Sequence, residues 1–133
     1  MVTTYGKNLF MDHLFHTPNN PSLPATYYLG LSTTAPTEAG GNFTEPSSGT
    51  GYGRIAISGL TNAVNGVVQN GTVLSFAEST NNQGTVTHWG IFPEASNGSL
   101  IMYGPLNKSR IVEGETILSI KTGSLKLELV NEI

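Results

Sequence analysis

Cysteine is absent from this chain of 133 residues. Without cysteine sulfur the protein can form neither a disulfide framework nor a metal site built on thiolates. The absence agrees with folding in a reducing cytoplasm.

Charged residues are also scarce, at 11% of the chain against roughly 25% in an average soluble protein. The net charge is −3 and the six basic residues are scattered. No Lys/Arg cluster is available to neutralise phosphates, so we expect no binding of nucleic acid. No apolar run approaches the roughly 20 residues of a membrane helix, and the segment MVTTYGKNLF lacks the features of a secretory signal. We therefore expect no membrane association.

Glycine and the turn-forming polar residues are abundant, with 16 Gly and 7 Pro. Short apolar runs alternate with turn signals such as Asn65-Gly66 and Asn70-Gly71, a pattern typical of antiparallel β structure. We predict a mainly β protein with a jelly-roll-like antiparallel β-sandwich. The predicted strands are 27–32, 54–58, 66–68, 73–76, 86–92, 99–103, 111–112, 116–121 and 124–130.

One helix is predicted, over residues 4–15, with Thr4 as its N-cap. Its apolar residues fall on one stripe, and prolines 18 and 21 end it. The sequence thus predicts an N-terminal helix and tether over 1–24 and a β-sandwich domain over 25–133. The residues of the stripe are Leu9, Phe10, Leu14 and Phe15.

A long loop rich in Gly, Pro, Ser and Thr separates the first two predicted strands. Loops in compact domains have a median length of about 4–6 residues, and much longer ones are usually functional. Its aromatic residues, Phe43 and Tyr52, have two possible roles. They could anchor a contact with another subunit, or Tyr52 could fold back and close the end of the sandwich.

Residues that could carry chemistry do not form a recognised catalytic set. Asp12, His13 and His16 have a spacing that could place two imidazoles near one metal, but no HExxH motif is present. A hydrolase could use His88 with a glutamate, but the chain has no GxSxG elbow. We expect a protein that is not an enzyme and needs neither a cofactor nor a metal.

The order of three segments resembles a family of small virion proteins of tailed bacteriophages, labelled as tail fibre proteins. These segments are YYLGLSTTAPTEAGG followed by Glu45 and SSGTGYGR, then THWGIFPEASNGSLIMYGPLN, then IVEGETILSIKTGSLKLEL. The resemblance covers most of residues 25–130. The chain departs from it at Glu115, where an Asp is usual, and in an elongated loop at 41–44.

The resemblance implies a non-enzymatic structural protein of the virion, assembled in the cytoplasm of the bacterial host. We expect a capsid decoration or cement protein, or a tail or fibre accessory protein. It would associate with itself, with a trimer favoured, and with the major capsid protein or tail proteins. The alternative is a receptor- or glycan-binding module of a fibre that uses Tyr28, Phe43 or Tyr52. The candidate interface residues are Phe10, Phe15, Pro36, Phe43, Glu45, Tyr52 and Arg54.

Overall fold

A computed structural model describes residues 1–16 and 22–129. It confirms a mainly β protein with one short N-terminal helix and antiparallel sheets. The elements are α1 (Thr4–Phe15), β1 (Tyr28–Ser32), β2 (Ile55–Ala56), β3 (Val67–Gln69), β4 (Leu74–Ser75), β5 (Gly84–Phe92), β6 (Met102–Val112), β7 (Ser119–Ile120) and β8 (Lys126–Glu128), with one 3-10 turn at Ser48–Thr50. Within the described part of the chain, no helix is long and apolar enough to cross a membrane.

Helix α1 has the predicted bounds but not the predicted cap. The N-cap is Thr3, whose Oγ1 accepts a hydrogen bond from the Gly6 amide at 3.0 Å. Prediction of Thr4 was wrong by one residue because adjacent threonines have the same capping chemistry. The same Thr3 hydroxyl donates to the Leu100 carbonyl at 2.6 Å and so attaches the start of the helix to the sheet. Prolines 18 and 21 lie outside the described residues.

The first three residues also pair with the β6 end of the sheet. The Met1 and Tyr103 backbones exchange hydrogen bonds, at 2.7 Å from the Met1 amine and 2.9 Å from the Tyr103 amide. A Cβ on Gly6 would collide with the Ile101 carbonyl, so glycine allows the helix to approach the chain closely. The N-terminus therefore packs on its own chain, while the division of the molecule at residue 24 stays a prediction.

The largest sheet has the strand order β2-β1-β5-β6, with every pair antiparallel. The turn residues at 93–98 predict a hairpin between the strands on either side, and β5 and β6 form it, with positive φ at Asn97 and Gly98. The prediction of separate strands at 99–103 and 111–112 was wrong, because β6 runs through both. Between the pairs Val86–Arg110 and His88–Pro105, residues 106–109 of β6 bulge opposite a single β5 residue. That bulge interrupts the alternation by which a strand is recognised.

Two small sheets, β3-β8 and β4-β7, lie against one face of the large sheet and share its main core. In the last strand, Leu125, Leu127 and Leu129 alternate with Lys126 and Glu128, a pattern that predicts one dry face. This prediction is only partly correct. Leu125 is buried and Leu127 is half-buried, but Leu129 is 66% exposed. The main core consists of Val2, Leu29, Leu31, Leu74, Phe76, Val86, Ile91, Ile101, Met102, Val112 and Leu125.

The opposite face of the large sheet carries a second, smaller apolar cluster. Phe92, Leu100 and Tyr103 are buried there, and Phe43 from the long loop packs against them. The loop between β1 and β2 therefore provides part of the cover for this face of the sheet.

Candidate interface

The long loop turns back over the end of β1. The Thr33 amide donates to the Thr44 carbonyl at 2.9 Å, and the Thr34 hydroxyl donates to the Asn42 carbonyl at 2.6 Å. The Ser32 hydroxyl, which is buried, accepts from the Thr44 amide at 2.9 Å. Asn42 has a positive φ of 59°, a conformation that asparagine tolerates better than most residues. These bonds place Glu45 directly beside β1.

Glu45, Tyr52 and Arg54 form one hydrogen-bonded cluster, which we call the loop clamp. Oε1 of Glu45 accepts from the Tyr52 hydroxyl at 2.6 Å and from Arg54 Nε at 2.8 Å. Oε2 accepts from a terminal nitrogen of Arg54 at 2.9 Å, which makes the ion pair bidentate. A planar, two-bond pair of this kind fixes orientation as well as charge.

Arg54 also connects the clamp to the β5–β6 hairpin. Its other terminal nitrogen donates to the carbonyls of Glu94 at 3.0 Å and Asn97 at 2.6 Å. The guanidinium lies 3.5 Å from the centre of the Phe92 ring, a cation–π contact. The Arg54 side chain is only 7% exposed. Its charge and donors therefore serve contacts within the chain.

Tyr52 provides a hydrogen-bond acceptor to the edge of β1 beyond the end of its pairing with β2. Strand β2 pairs with Tyr28 and Leu29 only, and the Leu31 amide beyond them donates to the Tyr52 hydroxyl at 3.0 Å. The ring stacks on Phe76 with centroids 6.3 Å apart. Of the two roles that the sequence left open for Tyr52, the structure shows the one in which it folds back onto the protein.

The environment of the clamp shifts the pKa values of two of its residues, Tyr52 and Glu45. Burial raises the pKa of the Tyr52 hydroxyl, and the hydrogen bond to Glu45 raises it further, so the hydroxyl stays protonated. Burial by itself would raise the pKa of Glu45. The hydrogen bonds from Arg54 and Tyr52 and the charge of Arg54 outweigh burial and lower it below its usual value. Glu45 is therefore an ionised acceptor that is used inside the molecule.

Two strand glycines let the loop approach the sheet. A Cβ on Gly30 would lie 2.9 Å from Oε1 of Glu45 and 3.1 Å from the Tyr52 hydroxyl, and one on Gly90 would lie 2.5 Å from the Phe43 ring. The Phe43 ring meets Phe92 edge to face with centroids 5.0 Å apart. Sequence reasoning did not single out Gly30, Gly90 or Phe92. The available signal was glycine within a strand, which often marks close approach of another chain segment.

The seven candidate residues fall into three places. Phe43, Glu45, Tyr52 and Arg54 come together around Phe92, while Pro36 is buried in the preceding part of the loop. Phe10 is half-buried against the main core, and Phe15 is 70% exposed at the end of α1. A role of these residues in contacts between subunits stays a prediction.

Beside α1 lies an apolar groove of about 560 Å³. Phe10 and Leu14 of the helix line one part of it, and Leu127 and Leu129 line another. On the helix, Met11, Leu14 and Phe15 are 55%, 63% and 70% exposed. Met11 is three and four residues from the other two, so these side chains share one helix face. We call the groove and this helix face the α1 surface.

The structure bears on the two polar sites considered from the sequence as follows. Within residues 1–16 and 22–129, no group of three or more His, Asp or Glu residues could hold a metal ion. Nδ1 of His88 lies 2.8 Å from the hydroxyl of the adjacent Thr87.

A family model described as Podophage GP4 fiber I protein gp80 matches residues 1–128. The chain belongs to this family. The match confirms the resemblance to virion proteins of tailed phages and extends it over α1, which lies outside residues 25–130. A comparison with curated proteins gives no significant match. The family supports a structural role related to the phage fibre and makes the protein a component of the virion.

Proposed function

We propose that this protein is a non-enzymatic fibre or tail component whose copies associate with one another through the α1 surface. The observation that carries the proposal is the exposed apolar face of α1 beside an apolar groove of the same chain. Contiguous apolar surface on a soluble protein usually marks a site of interaction.

A second copy of the chain is the occupant that the chemistry of the α1 surface favours. Met11 and Phe15 offer exposed apolar side chains, and the groove, which Leu14 lines, offers an apolar lining, so the two parts complement each other between copies. Cyclic oligomers bring two such different patches of identical subunits together. We propose three copies, and we place them in the fibre or tail, in keeping with the family description, with other tail proteins as neighbours.

We propose that the loop clamp holds the long loop in place and does not itself bind a ligand. It fastens the long loop to β1 and to the β5–β6 hairpin, so the loop is presented in one conformation. The alternative of a glycan site on Phe43 and Tyr52 has less support, because the Tyr52 hydroxyl is bonded to Leu31 and Glu45 and the Phe43 ring packs on Phe92.

Light scattering after size exclusion tests the self-association. The chain mass is 14.1 kDa, so a trimer should elute with a mass of about 42 kDa. Leu14→Ser combined with Phe15→Ser should shift the protein toward the monomer without unfolding it, because both side chains are exposed. Ile117→Ser is the matched control, since Ile117 is 58% exposed on another part of the chain. A wild-type monomer at high concentration would contradict the proposal.

Binding to purified phage particles tests the location. Tails and capsids from the same phage are separated and incubated with labelled protein. We expect tails to retain the wild-type protein. The Leu14→Ser/Phe15→Ser variant should bind tails more weakly only if the α1 surface also contacts the tail. Retention on capsids instead would assign the protein to capsid decoration.

A further inference from the structure

Four of the six basic residues remain without an acidic partner in the described part of the chain. Lys7 pairs with Glu38 at 2.7 Å and Arg54 pairs with Glu45 at 2.8 Å. Within residues 1–16 and 22–129, no ion pair or hydrogen bond involves the side chain of Lys108, Arg110, Lys121 or Lys126. In a chain with a net charge of −3, this leaves the available positive charge between residues 108 and 126.

These four residues line one cleft at the seam between the large sheet and the segment that joins β7 to β8. One part, of about 420 Å³, is lined by Lys108, Arg110 and Lys121. The adjoining part, of about 490 Å³, is lined by Lys126, with Glu128 at its margin. Four cations and one carboxylate give the cleft a formal charge of +3. The two parts share Trp89, Pro105, Asn107 and Ser124.

Trp89, the only tryptophan of the chain, lines both parts of this cleft. It lies opposite Gly104 in the β5–β6 register. A Cβ on Gly104 would be 2.7 Å from the indole ring, so the missing side chain lets the ring lie over the β6 backbone. Trp89 is half-buried and packs against the main core from one side. Its indole N–H has no hydrogen-bond acceptor among the described residues.

The β6 bulge contributes Asn107 and Lys108 to the cleft that Trp89 lines. Residues 106–109 form the bulge directly after Pro105, and both Asn107 and Lys108 line the cleft. Opposite them, Ser124 and Lys121 come from the turn before β8, where Gly123 has a positive φ of 80°. The turn and the bulge thus bring amide, hydroxyl and ammonium groups to the lining of a cleft that they share with one aromatic ring.

We propose that this cleft binds an anionic saccharide, a sugar carrying a carboxylate or a phosphate. An indole face packs well against the apolar C–H face of a pyranose ring. Lysine and arginine recognise the anionic group, and Asn107 and Ser124 match the ring hydroxyls. The volumes lie within the roughly 300–1,000 Å³ of small-ligand sites, which favours a compact ligand over a polypeptide segment. The proposal does not depend on the self-association proposed above.

Because there is a single tryptophan, its fluorescence reports directly on the cleft. The full chain is titrated with glucuronate, glucose 6-phosphate and glucose. We expect a saturable change in Trp89 emission with the two anionic sugars, at least tenfold weaker binding of glucose, and weakening of the anionic sugars by salt. Lys108→Ser combined with Lys121→Ser should weaken glucuronate binding at least tenfold.

The control variants separate the cleft from overall charge. Lys7→Ser combined with Arg110→Ser removes the same net charge but only one cleft cation, so it should weaken binding less than the Lys108→Ser/Lys121→Ser variant. Absence of a saturable response to both anionic sugars would overturn the proposal. So would equal binding of tetraglutamate peptide, because the cleft would then recognise charge without the sugar. Light scattering on the same samples shows whether self-association is intact, so the two proposals can fail separately.

Discussion

Removal of the Tyr52 hydroxyl tests whether the loop clamp stabilises the fold. Tyr52→Phe keeps the ring that stacks on Phe76 but removes an oxygen that accepts from the Leu31 amide at 3.0 Å and donates to Glu45 at 2.6 Å. The Leu31 N–H then lacks its partner in a partly buried position. Leaving such a group unsatisfied costs about 1–3 kcal/mol. Glu45 keeps both bonds from Arg54, so we expect a total loss near the middle of this range.

The expected loss is measurable by thermal or urea unfolding. Unfolding entropy of about 2.1 cal/mol/K per residue gives about 0.28 kcal/mol/K for this chain. A loss of about 2 kcal/mol therefore lowers Tm by about 7 °C. Both proteins are compared at one protein concentration, because self-association would make Tm depend on concentration.

Tyr28→Phe is the matched control for this experiment. Tyr28 is half-buried and its hydroxyl makes no hydrogen bond to any described residue, so its removal should change stability by less than about 0.5 kcal/mol. A double-mutant cycle with Glu45→Gln should show a coupling energy above about 0.5 kcal/mol, as expected for groups in one network. If Tyr52→Phe costs no more than Tyr28→Phe, the clamp does not stabilise the fold and the reasoning is refuted.

Two further predictions concern the same region. The lowered pKa of Glu45 means that its ionised form stabilises the folded state above the usual carboxyl pKa of 4.5, and that this contribution is lost as the pH falls through 4.5 and the lower folded pKa. Glu45→Gln should therefore lose less stability than the wild type in urea unfolding between about pH 6 and pH 3. Equal slopes for Glu45→Gln and the wild type would contradict this assignment. Gly90→Ala should destabilise the protein by about 1–3 kcal/mol, because its Cβ would lie 2.5 Å from the Phe43 ring and 2.7 Å from Leu100. Gly53→Ala, where a Cβ meets no atom within 4 Å, is the control in the same unfolding assay, and an equal effect of both would exclude the steric explanation.

Local patterns predicted the elements of this fold better than their pairings. The 3.6-residue spacing of apolar residues predicts α1, and glycine and asparagine turns predict the β5–β6 hairpin. Strand β6 was divided in two because Pro105 and the bulge at 106–109 interrupt alternation. The pairing of β3 with β8 joins residues about 60 positions apart, and no spacing rule within one segment encodes such a contact.

In the candidate interface, too, the sequence predicted which residues matter better than it predicted their contacts. The sequence singled out Tyr52 as an aromatic residue of the long loop, and Glu45 and Arg54 stand in the segments that carry the family resemblance. The structure shows that the three residues form one hydrogen-bonded cluster. The sequence could not show that Arg54 lies over Phe92, because that contact depends on the register of β5 against β1. Nor could it distinguish an exposed Phe15 from a half-buried Phe10 on one helix stripe.

The sequence by itself determined the mainly β class, the N-terminal helix, the lack of thiol chemistry and the membership in a phage fibre family. Each of these follows from composition, short-range periodicity or the order of motifs. Only the tertiary structure decided that the long loop folds back as a clamp and that Trp89 shares a cleft with Lys108 and Lys121. These arrangements depend on strand register and on a bulge. A shift of one residue in register turns every side chain of a strand to the other face, so they arise only when the whole sheet has formed.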